Sequence, residues 1–170
     1  MKILQINTVC GIGSTGRIAT EINKLLIEKG HESYIAFGRG YPKNCDNTIK
    51  IGSPMDNYMH VAKTRIFDQH GFGSKKATLE LVDTIKILNP DIIHLHNIHG
   101  YYLNIEILFG YLKESNKPVV WTLHDCWPFT GHCTHFDSIG CNKWITGCSN
   151  CPQKNNYPQS LIFDNSRSNY

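Results

Sequence analysis

Residues 1–30, MKILQINTVCGIGSTGRIATEINKLLIEKG, decide how this chain folds. The segment KILQIN predicts a buried parallel strand, and STGRIATEINKLLIEKG predicts a helix that begins at Ser14 or Thr15 and stops at Gly30. The apolar residues of the helix recur at helical spacing: Ile18, Ile22, Leu25 and Leu26. A strand, a glycine-rich turn and a helix in this order form a βα unit.

The alternation of strands and helices continues to residue 124. Further strands are predicted at SYIAFG (33–38), TIKIG (48–52), DIIHLH (91–96) and PVVWTLH (118–124). Helices are predicted at 53–67, 74–88 and 104–115. This order predicts an α/β fold with a Rossmann-like open parallel sheet and helices on both faces. Such sheets bind ligands at the carboxyl ends of their strands.

Regular patterning stops after residue 125. The rest of the chain is rich in Cys, Asn, Ser, Gly and Pro, which predicts irregular structure. We therefore expect a Rossmann-like domain over 1–125 and an irregular Cys-rich extension of the same domain over 126–170, cut off before any further domain.

Composition narrows the range of partners. With 170 residues and 41% hydrophobic content the chain suits one domain with a real core. A net charge of +3 is too weak to indicate nucleic acid, although an anionic small molecule or an acidic membrane surface would fit. No signal peptide or membrane-spanning run is visible, which predicts a cytoplasmic location.

The segment GIGSTGR (11–17) has the G-x-G-x-x-G spacing between the first strand and the first helix. Glycines there let the backbone approach a phosphate, and the helix start offers free N–H groups to its charge. The motif predicts a phosphate or sugar-nucleotide site at Gly11, Gly13, Gly16 and Arg17. The alternative is a tight turn that needs glycine for its geometry alone.

A dinucleotide site would also need an acidic residue at the end of the second strand. This chain has Phe37, Gly38 and Arg39 there, which disfavours NAD, although Arg39 could meet the 2′-phosphate of NADP.

The segment HLHNIHG (94–100) places His94 and His96 on one side of a strand and His99 in the following loop. Three histidines could bind a metal, but polar contact with a substrate is the favoured interpretation because the loop lies at the strand ends. The candidate substrate-binding residues are His96, Asn97, His99, Tyr101 and Arg39.

His124 and Asp125 follow the next strand and are expected at the same crevice. A histidine there could orient a hydroxyl or accept its proton, and these two residues are the catalytic candidates. The alternative is a histidine that only caps the strand.

Five cysteines follow Asp125, and the last two form a C-x-x-C pair. Thiolates at these spacings suit a structural zinc, with Cys133, Cys141, Cys148 and Cys151 as the ligand set and His132 or His135 as substitutes. Reduced buried cysteine and redox pairing are the alternatives.

Several stretches together resemble the N-terminal half of a bacterial GT-B glycosyltransferase of the family-four kind. They are GIGSTGRI, FGRG, HGFGSKKAT, DIIHLHNIHGYYLN, and TLHDCWPFTGHCTHF through GCSNCPQ. The last two resemble a subgroup that builds colanic acid or capsular polysaccharide.

The resemblance implies a retaining enzyme with a cleft between two Rossmann-like halves. This half would carry mainly the acceptor, a glycan or lipid-linked glycan at the inner face of the cell membrane. The half that holds the nucleotide-sugar donor would be missing, so the isolated chain would be inactive. By position, Gly13 and Gly16 would lie near the donor diphosphate and His124 beside the reacting sugar. A zinc would be structural.

Two other classes of function stay open from the residues alone. One is an NADP-binding oxidoreductase domain, supported by the glycine motif and Arg39. The other is a noncatalytic binding module stabilised by zinc, supported by the late cysteines.

Overall fold

The computed structural model describes all 170 residues. The strands are β1 (Lys2–Asn7), β2 (Glu32–Phe37), β3 (Thr48–Lys50), β4 (Ile92–Leu95) and β5 (Val119–Trp121). The helices are α1 (Gly13–Glu28), α2 (Pro54–Phe67), α3 (Lys75–Leu88), α4 (Ile105–Ser115) and a final short α5 (Ser166–Asn169). The order of elements agrees with the sequence prediction up to β5.

The five strands form one all-parallel sheet in the order β3-β2-β1-β4-β5. The predicted α/β class and open parallel sheet are therefore confirmed. The chain builds outward from β1 to β3 and then returns to place β4 on the other side of β1. Connections on the two sides of such a switch point leave in opposite directions, which opens a crevice beyond the carboxyl ends of β1 and β4.

The main core lies between the sheet and helices α3 and α4. Leu4 and Ile6 of β1 pack in one cluster with Ile93 and Leu95 of β4. These strands are buried on both faces, which explains why their sequences read as nearly continuous apolar runs.

Helix α1 differs from its prediction in two ways. It begins at Gly13 after Ile12, which makes no side-chain cap, so neither Ser14 nor Thr15 is the N-cap. The fully buried residues of α1 are also not those of its apolar repeat: they are Gly16, Ala19 and Asn23. Small residues let the helix lie close to the sheet, where Gln5 donates a hydrogen bond to the Ala19 carbonyl (3.1 Å).

Helix α2 begins as predicted, with a capping box between Ser53 and Asp56. Its faces are reversed relative to an ordinary amphipathic helix. The buried residues are the polar His60 and Thr64, whereas Met55 and Met59 are exposed. None of the helices has the length and apolar character needed to cross a bilayer.

The segment 126–170 consists of loops, three single 3-10 turns and α5. It returns to the end of α2, where the Leu161 N–H bonds to the Arg65 carbonyl (2.7 Å) and the Phe163 N–H bonds to the Ile66 carbonyl (3.1 Å). The buried carboxylate of Asp68 accepts hydrogen bonds from His132 and from the Asn165 backbone. These contacts attach the segment to the sheet domain.

Candidate functional site

The candidate site lies at the carboxyl edge of the sheet, where the ends of β1, β4 and β5 meet. The ends of β1 and β4 are joined directly, because the Thr8 hydroxyl donates to the carbonyls of Asn97 (3.0 Å) and His99 (2.6 Å). The Asn97 N–H donates to the Asn7 side chain (3.2 Å). These bonds fix the two loops that carry the predicted polar residues.

The three glycines of the loop before α1 have different local environments. A Cβ on Gly11 would lie 1.8 Å from the Lys43 carbonyl oxygen, and a Cβ on Gly16 would press on Val9 at 3.1 Å. Gly13 has a φ of +64° and nothing within 4 Å of a Cβ. Gly11 and Gly16 thus serve the turn and the packing of α1, whereas Gly13 borders open space.

The first turn of α1 has the features of an anion site. No side chain caps its N–H groups, and it contains no acidic residue. Uncapped N–H groups and the positive end of the helix dipole favour a bound anion. Arg17 is exposed on the same helix, one turn from its start. This geometry suits the predicted contact with a phosphate.

A chain of hydrogen bonds runs from α1 through the sheet to His124. Gln5 donates its amide N–H to the Ala19 carbonyl, so its Oε1 is left to accept from His96 Nε2 (3.0 Å). His96 Nδ1 then carries a lone pair and accepts from His124 Nε2 (3.1 Å). Each hydrogen bond fixes which nitrogen of the next residue carries the proton. The network therefore places the proton of a neutral His124 on Nε2 and leaves Nδ1 unprotonated. We call Gln5, His96 and His124 the histidine relay.

The relay is electrically neutral at physiological pH. Burial, with repulsion from His94 and His124, lowers the pKa of His96 to about 3. Burial also lowers the pKa of His124, although the charge of Asp125 partly opposes this. A half-buried neutral imidazole with a free Nδ1 can accept a hydrogen bond from a hydroxyl.

His96 is itself 1% exposed, and both of its ring nitrogens are engaged. His96 therefore has no free ring nitrogen for a ligand in this structure, and its contact with the strand-end edge runs through His124. His94 lies on the same side of β4, as the alternation predicts, and bonds to the Thr122 hydroxyl (2.8 Å).

Asp125 enters a different network from its neighbour His124. It accepts a hydrogen bond from His99 Nε2 (2.7 Å) and another from the Trp127 N–H (3.0 Å). Burial alone would raise the pKa of Asp125, but these hydrogen bonds hold it below the ordinary value. The ionised carboxylate fixes the His99 tautomer, and His99 Nδ1 accepts from the Tyr157 hydroxyl (3.1 Å).

Tyr101 and Arg39 lie on the β2 side of this second network. Tyr101 is buried with a φ of +68°, and the Arg39 guanidinium lies 5.8 Å from its ring centre. Asn97 contributes its backbone, whose carbonyl accepts from the Tyr102 hydroxyl (2.8 Å). The structure thus brings Tyr101, His99 and Asp125 together and leaves His124 with the relay.

The cysteines of the 126–170 segment are only partly brought together. All seven cysteines of the chain are free, and no group of three or more His, Cys, Asp or Glu residues is arranged to hold a metal ion. A hydrogen bond from Cys151 lowers the pKa of Cys133 to about 6. The electrostatics thus couple Cys133 to Cys151, and the geometry gives no support to the zinc predicted with Cys133, Cys141, Cys148 and Cys151.

Sequence reasoning missed three residues at or beside the site: Gln5 of the relay, Tyr157, and Arg65, whose charge acts on Tyr101. Gln5 could have been noticed as the one polar residue inside an apolar strand. Arg65 and Tyr157 carried no signal, because α2 and the irregular segment reach the strand ends only through long-range packing.

Comparisons with known proteins agree with this architecture. The sequence model of the family described as Glycosyltransferase Family 4 matches residues 15–148. A protein of Escherichia coli (strain K12), provisionally named the colanic acid biosynthesis glycosyl transferase WcaC, is 33% identical over 175 residues. The alignment covers 95% of this chain and 42% of that protein, so the chain spans about two fifths of its relative's length.

Proposed function

This chain belongs to glycosyltransferase family 4, and from that premise we propose that it is the acceptor-side half of a retaining glycosyltransferase. The enzyme would transfer a sugar from a nucleotide-sugar donor to a growing, lipid-linked polysaccharide of the cell surface. The name of the Escherichia coli relative supports polysaccharide as the product class. A second half, which binds the donor nucleotide, would complete the cleft.

The observation that carries this proposal is the unprotonated Nδ1 of His124 at the strand-end crevice. A sugar hydroxyl donates readily to such an atom, and the rigid relay holds the imidazole in one orientation. In the reaction, a bond forms between the acceptor oxygen and the anomeric carbon while the bond from that carbon to the donor phosphate breaks, and the hydroxyl proton passes to the leaving diphosphate. His124 would orient the attacking hydroxyl.

The glycine loop would act on the other reactant. As the donor bond breaks, negative charge grows on the leaving diphosphate, and fixed N–H groups stabilise such charge. The uncapped first turn of α1 and the open space over Gly13 support this role. Arg17 would add a positive charge nearby. The proposal requires no metal for departure of the phosphate.

The decisive experiment measures sugar transfer by a protein that carries this chain together with its donor-binding half. UDP- and GDP-sugars serve as donors and extracted membrane glycolipid as acceptor. His124→Ala should lower kcat by about a hundredfold, the usual scale for a positioned acid or base. His31→Ala is the matched control, because His31 directly precedes β2 and lies away from the carboxyl ends of the strands. A rate for His124→Ala within about twofold of wild type would remove His124 from the mechanism.

Titration with NADPH tests the oxidoreductase alternative. We expect no binding, because β2 ends without the acidic residue that holds a dinucleotide ribose. Tight NADPH binding together with no transfer from any nucleotide sugar would overturn the proposal.

We also propose that the protein sits at the inner face of the cell membrane, attached through α2. Its outward side exposes Met55, Met59 and Ile66, and the adjoining Phe67 stacks on the exposed Phe163. Three lysines border this apolar surface: Lys63, Lys75 and Lys76. Apolar side chains next to positive charge suit an anionic bilayer surface, where a lipid-linked acceptor is anchored.

A further inference from the structure

A groove of about 1050 Å³ opens beside the crevice, between the ends of β2 and β3 and the start of α2. Its far wall is formed by Tyr101 and Tyr157. The Tyr157 hydroxyl bonds to His99, which bonds to Asp125, so hydrogen bonds connect the wall of the groove to the candidate site.

The charge of the groove is entirely positive. Arg39, Lys50 and Arg65 line it, and no aspartate or glutamate does. None of the three takes part in an ion pair of the chain. The acid nearest in sequence, Asp56, is occupied by the Ser53 backbone N–H (2.7 Å). The formal charge of these three side chains equals the net charge of the whole chain, which is +3.

The positive side chains are held in place by the fold. Lys50 Nζ donates to the carbonyls of Gly38 (2.7 Å) and Gly40 (3.2 Å), and Arg39 lies over the Tyr101 ring. Burial and repulsion from Arg39 lower the pKa of Lys50. A bound anion would relieve that repulsion.

Aromatic side chains complete the lining. Tyr41 is 88% exposed and Tyr58 is 71% exposed, and both line the groove together with Tyr101 and Tyr157. Aromatic faces with a few polar groups are typical of sites that bind organic ligands, and the hydroxyls can hydrogen-bond to other hydroxyls. The combination of tyrosines and unpaired cations fits a sugar that carries an oxyanion better than it fits a free inorganic ion.

We propose that this groove binds an anionic group of the acceptor, either the carboxylate of an acidic sugar or the phosphate that joins a glycan to its lipid. This inference rests on the proposed function, since it names the class of acceptor. Arg39 and Arg65 are the recognition residues, because a guanidinium can hold a carboxylate or a phosphate through two parallel hydrogen bonds. Lys50 supports them through its charge.

Binding to the chain is tested by NMR titration with glucuronic acid, glucose and inorganic pyrophosphate, in which the backbone amides of the groove are followed. Glucuronic acid or pyrophosphate should shift the amides of Gly40 and Tyr58 at concentrations where glucose does not. The double variant Arg39→Gln/Arg65→Gln should weaken that binding at least tenfold. Lys113→Gln, which removes one positive charge from α4, should bind as the wild type does.

The two anions separate the two sources of the ligand. Tighter binding of glucuronic acid indicates that the ligand is an acidic sugar, and tighter binding of pyrophosphate indicates that it is the lipid-linking phosphate. Either result supports the groove as an anion site. Failure of both anions to bind more tightly than glucose, or unchanged anion binding in the double variant, would overturn the proposal. Arg39→Gln alone repeats the test if the double variant fails to fold.

The titration needs neither donor nor turnover, so its failure counts against the groove alone. Absence of sugar transfer by the two-half protein would count against the proposed function. In that protein, the double variant should raise the acceptor KM at least tenfold and leave the donor KM unchanged.

Discussion

Replacing Gln5 with methionine tests whether the histidine relay sets the state of His124. Methionine has a similar length but cannot accept the hydrogen bond from His96 Nε2 or donate to the Ala19 carbonyl. Gln5 is fully buried and His96 is nearly so, so water cannot replace the lost partners. The variant thus leaves one buried N–H without an acceptor and weakens a helix contact.

The expected loss of stability follows from these two contacts. An unsatisfied buried donor costs about 1–3 kcal/mol, and a lost neutral hydrogen bond costs about 1 kcal/mol. Gln5→Met should therefore lower the free energy of unfolding by roughly 2–4 kcal/mol, measured by urea denaturation. The matched control is Thr64→Val, which removes a buried hydrogen bond to the His60 carbonyl (3.0 Å) outside the relay.

The decisive measurement is the protonation of the imidazole nitrogens, observed by nitrogen-15 NMR of labelled histidine. In the wild type and in Thr64→Val, His124 should carry its proton on Nε2. In Gln5→Met, His96 loses its fixed tautomer, so both tautomers of His124 should be populated. A wild-type His124 protonated on Nδ1, or a single unchanged tautomer in Gln5→Met, would refute the relay.

Three further predictions concern the loop, the pH dependence of stability and the membrane face. Gly11→Ala should destabilise the chain more than Gly13→Ala in thermal unfolding, because only the former meets a backbone oxygen at 1.8 Å; Gly13→Ala should instead raise the donor KM of the two-half protein. Burial lowers the pKa of His60 to about 4 and that of His96 to about 3, and it lowers the pKa of His70 well below the ordinary value. Below about pH 6.5 the unfolded state therefore binds more protons than the folded state, so the free energy of unfolding should decrease as the pH is lowered. Urea denaturation should show a loss of about 1.3 kcal/mol per buried histidine between about pH 7 and about pH 5.5. Met59→Gln/Ile66→Gln should reduce sedimentation of the chain with phosphatidylglycerol vesicles at least fivefold, whereas Leu79→Gln, on the exposed face of α3, should not.

The sheet could be predicted from the sequence because a short local pattern of residues indicates each strand. An apolar run bounded by glycine or proline and followed by a helical repeat specifies a βα unit without reference to the rest of the chain. Helix α1 shows the limit of that reasoning. Its isoleucines and leucines identify a helix but not its most buried residues, because close packing on the sheet favours Gly16 and Ala19 over larger apolar residues.

The sequence predicts the position of a site residue when that residue lies on a strand or directly after one. It does not predict the position of a residue that a distant loop brings to the site. His96 and His124 follow from the alternation in β4 and from the end of β5. The tautomer of His124 depends on Gln5, which the sequence separates from it by 119 positions. Tyr157 contacts His99 because the irregular segment 126–170 folds back onto the sheet domain. No periodic pattern in the sequence predicts that contact.

The positions of the relay and the groove impose a direction on the acceptor. The groove lies on the β2 and β3 side of the crevice, and the relay ends at β5 on the other side. Asp125 adjoins His124 in sequence and connects through His99 to Tyr157 on the groove wall. An acceptor with its anion among Arg39 and Arg65 would therefore extend across this bridge and present its hydroxyl towards His124. Contacts to the remote anion stabilise the ground state and the transition state equally. The contact to the reacting hydroxyl stabilises the transition state more than the ground state. Groove variants should consequently raise the acceptor KM with little change in kcat, and relay variants should lower kcat with little change in KM.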